Sequence, residues 1–285
     1  MNNSDKRETF RRILNDDNCV YPASVYDPIS SRMAENLGFE VGMFAGSIAS
    51  SVILGAPDYI LVTLTEFAEQ VRRICRASNL PIMVDADHGY GNALNVKRTI
   101  EELEIAGVSA ITIEDTLLPR QYGNSLPDII SIEEGVGKMR SALLGRKDST
   151  LSIIARTSAR SITCLSDTIT RAKAYQDCGV DGIFLTGITE INDLIQIKKD
   201  VQIPILLGNA EPSLGDKDQL SQMGVKIALQ GHIPYYAGMK KVYETMKQLK
   251  NGISPGELKQ DILDKSTWDV FIQKNQYDQL IHDQL

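Results

Sequence analysis

Asp85 and Asp87 close the apolar run Pro81-Ile82-Met83-Val84, and His88-Gly89-Tyr90-Gly91 follows them. In an extended chain, residues i and i+2 point to the same side. Read as an extended strand end, the pair therefore puts two carboxylates into one space. Like charges that close repel and raise each other's pKa unless a positive group stands between them. A hard divalent cation such as Mg2+ does that with oxygen ligands. The glycines let the backbone turn sharply and approach a ligand closely.

Other polar residues interrupt apolar runs in the same way. Gly46-Ser47 follow Met43-Phe44-Ala45, Glu114-Asp115 follow Ile111-Thr112-Ile113, and Arg156-Thr157 follow Ile153-Ile154-Ala155. Gly231-His232 follow Leu229-Gln230. An acid pair, an acid, an arginine, a serine and a histidine at successive run ends make a site if those ends meet. His88 has its side chain directed away from the acids and reads as structural, and no base follows Ser47 in a nucleophile elbow.

Meeting requires a particular architecture. Apolar runs at 20–25, 41–45, 81–84, 110–113, 151–155, 182–185, 203–207 and 227–229 alternate with segments of helical spacing. At 65–77, Phe67, Val71 and Ile74 share a face; at 92–106, Leu94, Val96, Ile100 and Leu103 recur, with Asn92 a candidate cap. The helix at 131–144 has acids in its first turn and Lys138 and Arg140 later, as the helix dipole favours. Gly107, Gly179 and Gly224 each stop a helix before the next strand. Parallel strands need such crossovers. Eight alternations in 285 residues predict an α/β fold, a (β/α)8 TIM-type barrel, over an open doubly wound sheet, which would carry a glycine-rich phosphate loop after its first strand. In a barrel, all the named run ends open on one face.

The linker Asn251-Gly252-Ile253-Ser254-Pro255-Gly256 divides a barrel domain at 1–250 from a C-terminal helical extension at 251–285. The extension carries Trp268, Phe271 and Tyr277, so its helices are expected to dock on the barrel or on a neighbouring subunit.

Composition narrows the class. A net charge of −7 and a pI near 5.1 argue against nucleic acid as a partner. No apolar stretch approaches the ~20 residues of a membrane span, and the N-terminus lacks a hydrophobic signal core. The cysteines Cys19, Cys75, Cys164 and Cys178 show no CxxC pairing, which suits reduced thiols in the cytoplasm.

Taken together, Asp58 in Ala56-Pro57-Asp58, the stretch Asp85 to Gly91, Ile113-Glu114-Asp115 and Ala155-Arg156-Thr157 resemble the isocitrate lyase / phosphoenolpyruvate mutase superfamily from about Tyr21 to Tyr243. The runs Ala23-Ser24-Val25-Tyr26-Asp27-Pro28, Asp87 to Val96, Glu114 to Pro119 and Gly231-His232 are most similar to its bacterial oxaloacetate decarboxylase branch. The resemblance implies a barrel whose C-terminal helix is exchanged within a homotetramer, and Mg2+ (or Mn2+) with no organic cofactor. It implies Asp85 as the direct metal ligand, with Asp58, Asp87 and Glu114 holding the metal's waters. Ser47 with Gly46, Arg156, His232 and Asn209 would contact a 2-keto acid, and Arg156, His232 and Asp58 would serve catalysis.

The implied reaction is decarboxylation of oxaloacetate to pyruvate. The Lys-Lys-Cys-Gly-His loop of isocitrate-cleaving lyases is absent; Pro119-Arg120-Gln121-Tyr122-Gly123 stands in its place. Ser158 and Gly208-Asn209 also depart from the usual decarboxylase residues. Phosphonomutase or phosphonopyruvate chemistry, another carbon–carbon cleavage and a non-catalytic binding barrel are the alternatives. A loop at 118–128 would close over the site.

Overall fold

The computed structural model describes residues 2–124 and 126–285. Two compact units divide the chain, Met1–Gly231 and His232–Leu285.

In the first unit, helix α1 (Asn3–Asn15) precedes strand β1 (Ala23–Ser24), helix α2 (Pro28–Asn36), strand β2 (Gly42–Phe44) and the short helix α3 (Gly46–Ala49). Helix α4 (Leu64–Cys75), β3 (Ile82–Asp85), α5 (Ala93–Ala106), β4 (Ala110–Glu114), α6 (Ile132–Gly145) and β5 (Ser152–Thr157) follow. Then come α7 (Ala159–Ile162), α8 (Leu165–Asp177), β6 (Gly182–Leu185), α9 (Ile191–Asp200), β7 (Ile205–Leu207), α10 (Lys217–Gln222) and β8 (Val225–Ala228). All eight expected strands are present, in parallel and in sequential order. The Val20 N–H donates to the Lys226 carbonyl at 2.9 Å, and the Ala228 N–H donates to the Val20 carbonyl at 3.1 Å, so the sheet closes between its first and last strands. The protein is a (β/α)8 barrel.

Both faces of a parallel barrel strand are covered, so its residues are buried throughout. All five residues of β4, Ala-Ile-Thr-Ile-Glu, are buried. Phe44 on β2 stacks on Phe67 of α4, with ring centroids 5.3 Å apart. Sequence-local signals fix the helix ends. Thr63 and Glu66 form a capping box at the start of α4, and Asn92 accepts from the Leu94 N–H at the start of α5. Gly107 ends α5 at φ 102°, where a side chain would be strained.

Helix α1 seals the opposite end of the barrel, a role not apparent from its polar sequence. Lys6 Nζ donates to the Cys75 carbonyl at 2.7 Å, and Arg7 Nη2 donates to the Glu104 carbonyl at 2.7 Å. These cations meet the negative ends of α4 and α5.

The second unit holds α11 (Ile233–Lys250), α12 (Lys265–Phe271) and α13 (Lys274–Gln284). The helices expected in the tail are therefore present. Lys241 of α11 pairs with Asp261 at 2.9 Å.

Candidate active site

Four adjacent strands, β3 to β6, build the centre of the site. Glu114 ends β4 and is the register partner of Arg156 on β5, which is in turn the register partner of Phe184 on β6. Residues matched in this way project to the same face. Arg156 reaches across: its Nη1 pairs with Asp85 Oδ2 at the end of β3, and its Nε lies 3.1 Å from Glu114 Oε2. The guanidinium carbon stands 5.5 Å from the Phe184 ring centroid, a cation–π contact. The other oxygen of Asp85 is also engaged. Thr112 Oγ1 donates to it at 3.1 Å, and the Asp87 N–H donates to it at 3.2 Å.

Asp85 and Asp87 do share a space, but not through an extended chain. The strand stops at Asp85, and Asp87 takes φ 48°. Gly89, Tyr90 and Gly91 follow at φ 80°, 60° and 147°. Left-handed backbone at a residue with a side chain costs on the order of 1–3 kcal/mol, and such strain collects at functional sites. The turn brings the Asp87 carbonyl to the Glu114 N–H at 2.8 Å. It also lays the Asp87 carboxylate against Gly46. A Cβ on residue 46 would stand 2.7 Å from Asp87 Oδ1. Glycine at 46 is what admits the second carboxylate.

The remaining expected residues are placed as follows. Asp58 lies on the exposed loop before α4, and its carboxyl is raised above the usual range by partial desolvation and by Asp85, with Arg156 opposing. Ser47 sits half-buried in α3. Asn209 is exposed after β7, and its amide donates to the Glu211 carboxylate. His232 belongs to the second unit, as the N-cap residue of α11. Thr186 Oγ1 donates to Ser158 Oγ at 2.6 Å. The segment 118–128 includes Ser125, which lies outside the described residues; at its base the Leu117 N–H donates to the Asp128 carbonyl at 2.8 Å.

The electrostatics are those of crowded acids. Burial first, then Asp85, Glu114 and Asp58, hold the Asp87 carboxyl well above the ordinary carboxylate range. Burial likewise raises Glu114, and Arg156 works against the shift. Burial disfavours the Arg156 cation, but Asp85 and Glu114 more than reverse this, so it stays charged. One guanidinium thus pairs with Asp85 and Glu114 and also acts on Asp87 and Asp58. Such a set has room for a further positive charge.

An all-oxygen donor set suits a hard cation. Among the described residues, no group of three acidic, imidazole or thiolate side chains is arranged to hold a metal directly. The carboxyls of Asp58, Asp85, Asp87 and Glu114, gathered around one guanidinium, fit a hard divalent cation such as Mg2+. A cavity of about 640 Å³ between α4 and α5, lined by Thr63, Arg72, Tyr90 and Arg98 among others, is apart from these acids.

Two supports escaped sequence reading. Asp115, fully buried, points the opposite way from Glu114, as strand alternation requires. It accepts from Tyr175 Oη at 2.7 Å and from Arg171 Nη1 at 3.1 Å. Its N–H donates to the Arg156 carbonyl at 3.2 Å. The second is Lys138. The helix-dipole reading marked it only as a cation late in the helix; it is 3% exposed, and its Nζ donates to the His88 carbonyl at 2.9 Å. The signal for Asp115 was available, since two consecutive strand acids cannot face one side. Nothing in the spacing of α6 marked Lys138, because its inward rotation depends on the neighbouring α5.

Known proteins resemble this chain closely. The family model described as phosphoenolpyruvate phosphomutase matches residues 10–250. A protein of Bradyrhizobium sp. (strain ORS 278) named oxaloacetate decarboxylase is 56% identical over 254 residues, 89% of this chain and 88% of that one. A protein of the same name from Rhodopseudomonas palustris (strain ATCC BAA-98 / CGA009) is 52% identical over 267 residues, covering 92% and 93%. Among solved structures, a phosphonopyruvate hydrolase complex with oxalate and Mg2+ superposes with a TM-score of 0.86 at 23% identity, over 98% of each chain. A 2,3-dimethylmalate lyase superposes with a TM-score of 0.83 at 26% identity, over 98% of this chain and 97% of that one. The matched span takes in every strand of the barrel and the acids at its mouth, and the chain belongs to the phosphoenolpyruvate phosphomutase family.

Proposed function

We propose that this protein is a Mg2+-dependent oxaloacetate decarboxylase, a carbon–carbon lyase that converts a 2-keto diacid to pyruvate and CO2. One observation carries the reading: Arg156 is held charged against Asp85 and Glu114, in a chain 56% identical to a protein of that name. Asp85 would hold the metal directly, and Asp58, Asp87 and Glu114 would hold its waters. Mn2+ suits the same oxygen set, and no organic cofactor enters. When bound there, the metal supplies a Lewis acid that draws electron density from the 2-keto group.

The chain's own residues do the rest. The planar fork of Arg156 donates to a substrate oxygen while its ion pairs fix its direction. Gly46, Ser47 and Asn209 offer a neighbouring surface for the keto acid. The bond from C3 to the departing carboxylate breaks, and CO2 leaves. The bonding pair moves toward the carbonyl oxygen, where the Arg156 cation stabilises the developing negative charge. A proton delivered to C3, with Asp58 as carrier, gives pyruvate. The raised pKa of Asp58 suits that task. The segment 118–128 would close over the site and exclude water.

Incubating the protein with oxaloacetate, with and without Mg2+, and following pyruvate tests this directly. Parallel incubations with phosphonopyruvate and with other 2-keto and 2-hydroxy diacids separate the alternatives. Turnover of phosphonopyruvate in place of oxaloacetate would move the assignment to phosphonate chemistry. Mg2+ binding without any turnover would make the barrel a binding protein.

The same reading makes residues 1–250 the catalytic barrel and 251–285 an extension exchanged between subunits of a homotetramer in the cytoplasm. Tyr236, Met239, Tyr243 and Met246 support assembly: each is exposed on α11, spaced to form one stripe. No helix among the described residues is long and apolar enough to cross a membrane.

A further inference from the structure

The turn that displays the acids is held from outside by two side chains that bond to its backbone carbonyls. Lys138 on α6 projects inward, and its Nζ donates to the His88 carbonyl at 2.9 Å. Thr99 on α5, fully buried, donates through Oγ1 to the Gly89 carbonyl at 3.0 Å. Two successive carbonyls are thus gripped from two different helices. Each carbonyl fixes one peptide plane. The first of these planes begins one residue after Asp87, and the second lies between Gly89 and Tyr90.

The turn needs such a grip. Asp87 and Tyr90 both adopt positive φ without being glycine. Gly89 is wedged against α5, where a Cβ would stand 2.5 Å from Val96 Cγ2. Strained backbone persists only where its surroundings over-determine it. An ammonium is also a costly group to bury, since it gives up its hydration. An uncharged residue of similar length would fill the space without that cost. The burial of Lys138 therefore calls for an explanation in what its charge-assisted donor does at the His88 carbonyl.

We propose that Lys138 and Thr99 are positioning residues that lock the 87–91 turn in the geometry in which Asp85 and Asp87 take a divalent cation. This rests on the reading of the acid cluster as a metal site. The partners that orient a metal's ligands govern its affinity, and losing one commonly weakens binding about tenfold to a hundredfold. Lys138→Met keeps the length and apolar stem and removes the donor. Thr99→Val keeps the shape and removes the hydroxyl.

Mn2+ titration of the purified full-length protein, read by the electron paramagnetic resonance signal of the free ion, measures the effect without turnover. Lys138→Met is expected to weaken Mn2+ binding by about tenfold or more. Thr99→Val is expected to weaken it severalfold. At saturating metal, the KM for oxaloacetate should stay near that of the wild type. A lower thermal midpoint with unchanged Mn2+ affinity would make the two residues ordinary packing and overturn the proposal. If Lys138→Met does not fold, Thr99→Val decides alone: unchanged affinity there overturns it. The Asp85→Asn variant keeps the two ideas apart. Wild-type binding that Asp85→Asn abolishes upholds the metal site, whatever Lys138 does. Wild-type protein that binds no Mn2+ would remove the metal site and this inference with it.

Discussion

Glu114 and Arg156 are register partners on adjacent parallel strands, and Arg156 Nε stands 3.1 Å from Glu114 Oε2. The same guanidinium pairs with Asp85 on the next strand over. One cation therefore ties the acid ends of β3 and β4 to β5, and its removal leaves carboxylates crowded without a counter-charge. Arg156→Ala should lower kcat/KM by roughly a thousandfold, the scale of losing a donor aimed at developing charge. Arg156→Lys should rescue little of it, because an ammonium cannot span Asp85 and Glu114 as the planar fork does. Steady-state kinetics at saturating Mg2+ would show both.

Gly46→Ala separates activity from stability. Residue 46 opens a short helix, where alanine is a better helix former than glycine. The added methyl would meet Asp87 Oδ1 at 2.7 Å and push the carboxylate aside. The variant should keep its thermal midpoint while kcat/KM falls about tenfold or more, the loss expected when a metal's outer partners are disturbed. Loss of both together would contradict the account.

Tyr175→Phe tests the support behind Glu114. Asp115 is fully buried and accepts from Tyr175 Oη at 2.7 Å. Deleting that hydroxyl leaves a buried acceptor short of a donor, at a cost of about 1–3 kcal/mol. Urea unfolding should show this destabilisation. Activity should fall as well, because the Asp115 N–H also fixes the Arg156 carbonyl.

Acid crowding sets the pH dependence of the metal-free protein. Asp87 has a folded pKa raised well above its unfolded value, chiefly by burial and then by Asp85. Between those two values the folded state binds more protons than the unfolded state, so stability falls as pH rises through that window. In the presence of a chelator, the thermal midpoint should drop as pH climbs from the ordinary carboxylate range upward. Asp87→Asn should flatten that slope and stabilise the metal-free protein at neutral pH. A midpoint that rises over the same window in the wild type would contradict the shift.

Much of this was legible in the sequence because barrel strands are short, buried on both faces and separated by capped helices. The eight apolar runs each became a strand, and Gly107, Gly179 and Gly224 each take the left-handed conformation between a helix and the next strand. The residues at the strand ends followed from the same pattern. The left-handed backbone at Asp87 was not legible, since it depends on Gly46 and Glu114, far away in sequence. The rotation of Lys138 into the interior was hidden for the same reason. Asp115 shows the limit of reading acids as a group, because one residue along a strand reverses the face.

The most direct test is the rate at which the purified protein forms pyruvate from oxaloacetate, corrected for the reaction of free Mg2+, with Arg156→Ala alongside. Turnover should depend on metal, being abolished by a chelator and restored by Mg2+, and the variant should run near the background rate. Pyruvate formation that persists in chelator, or that Arg156→Ala supports at the wild-type rate, would contradict it.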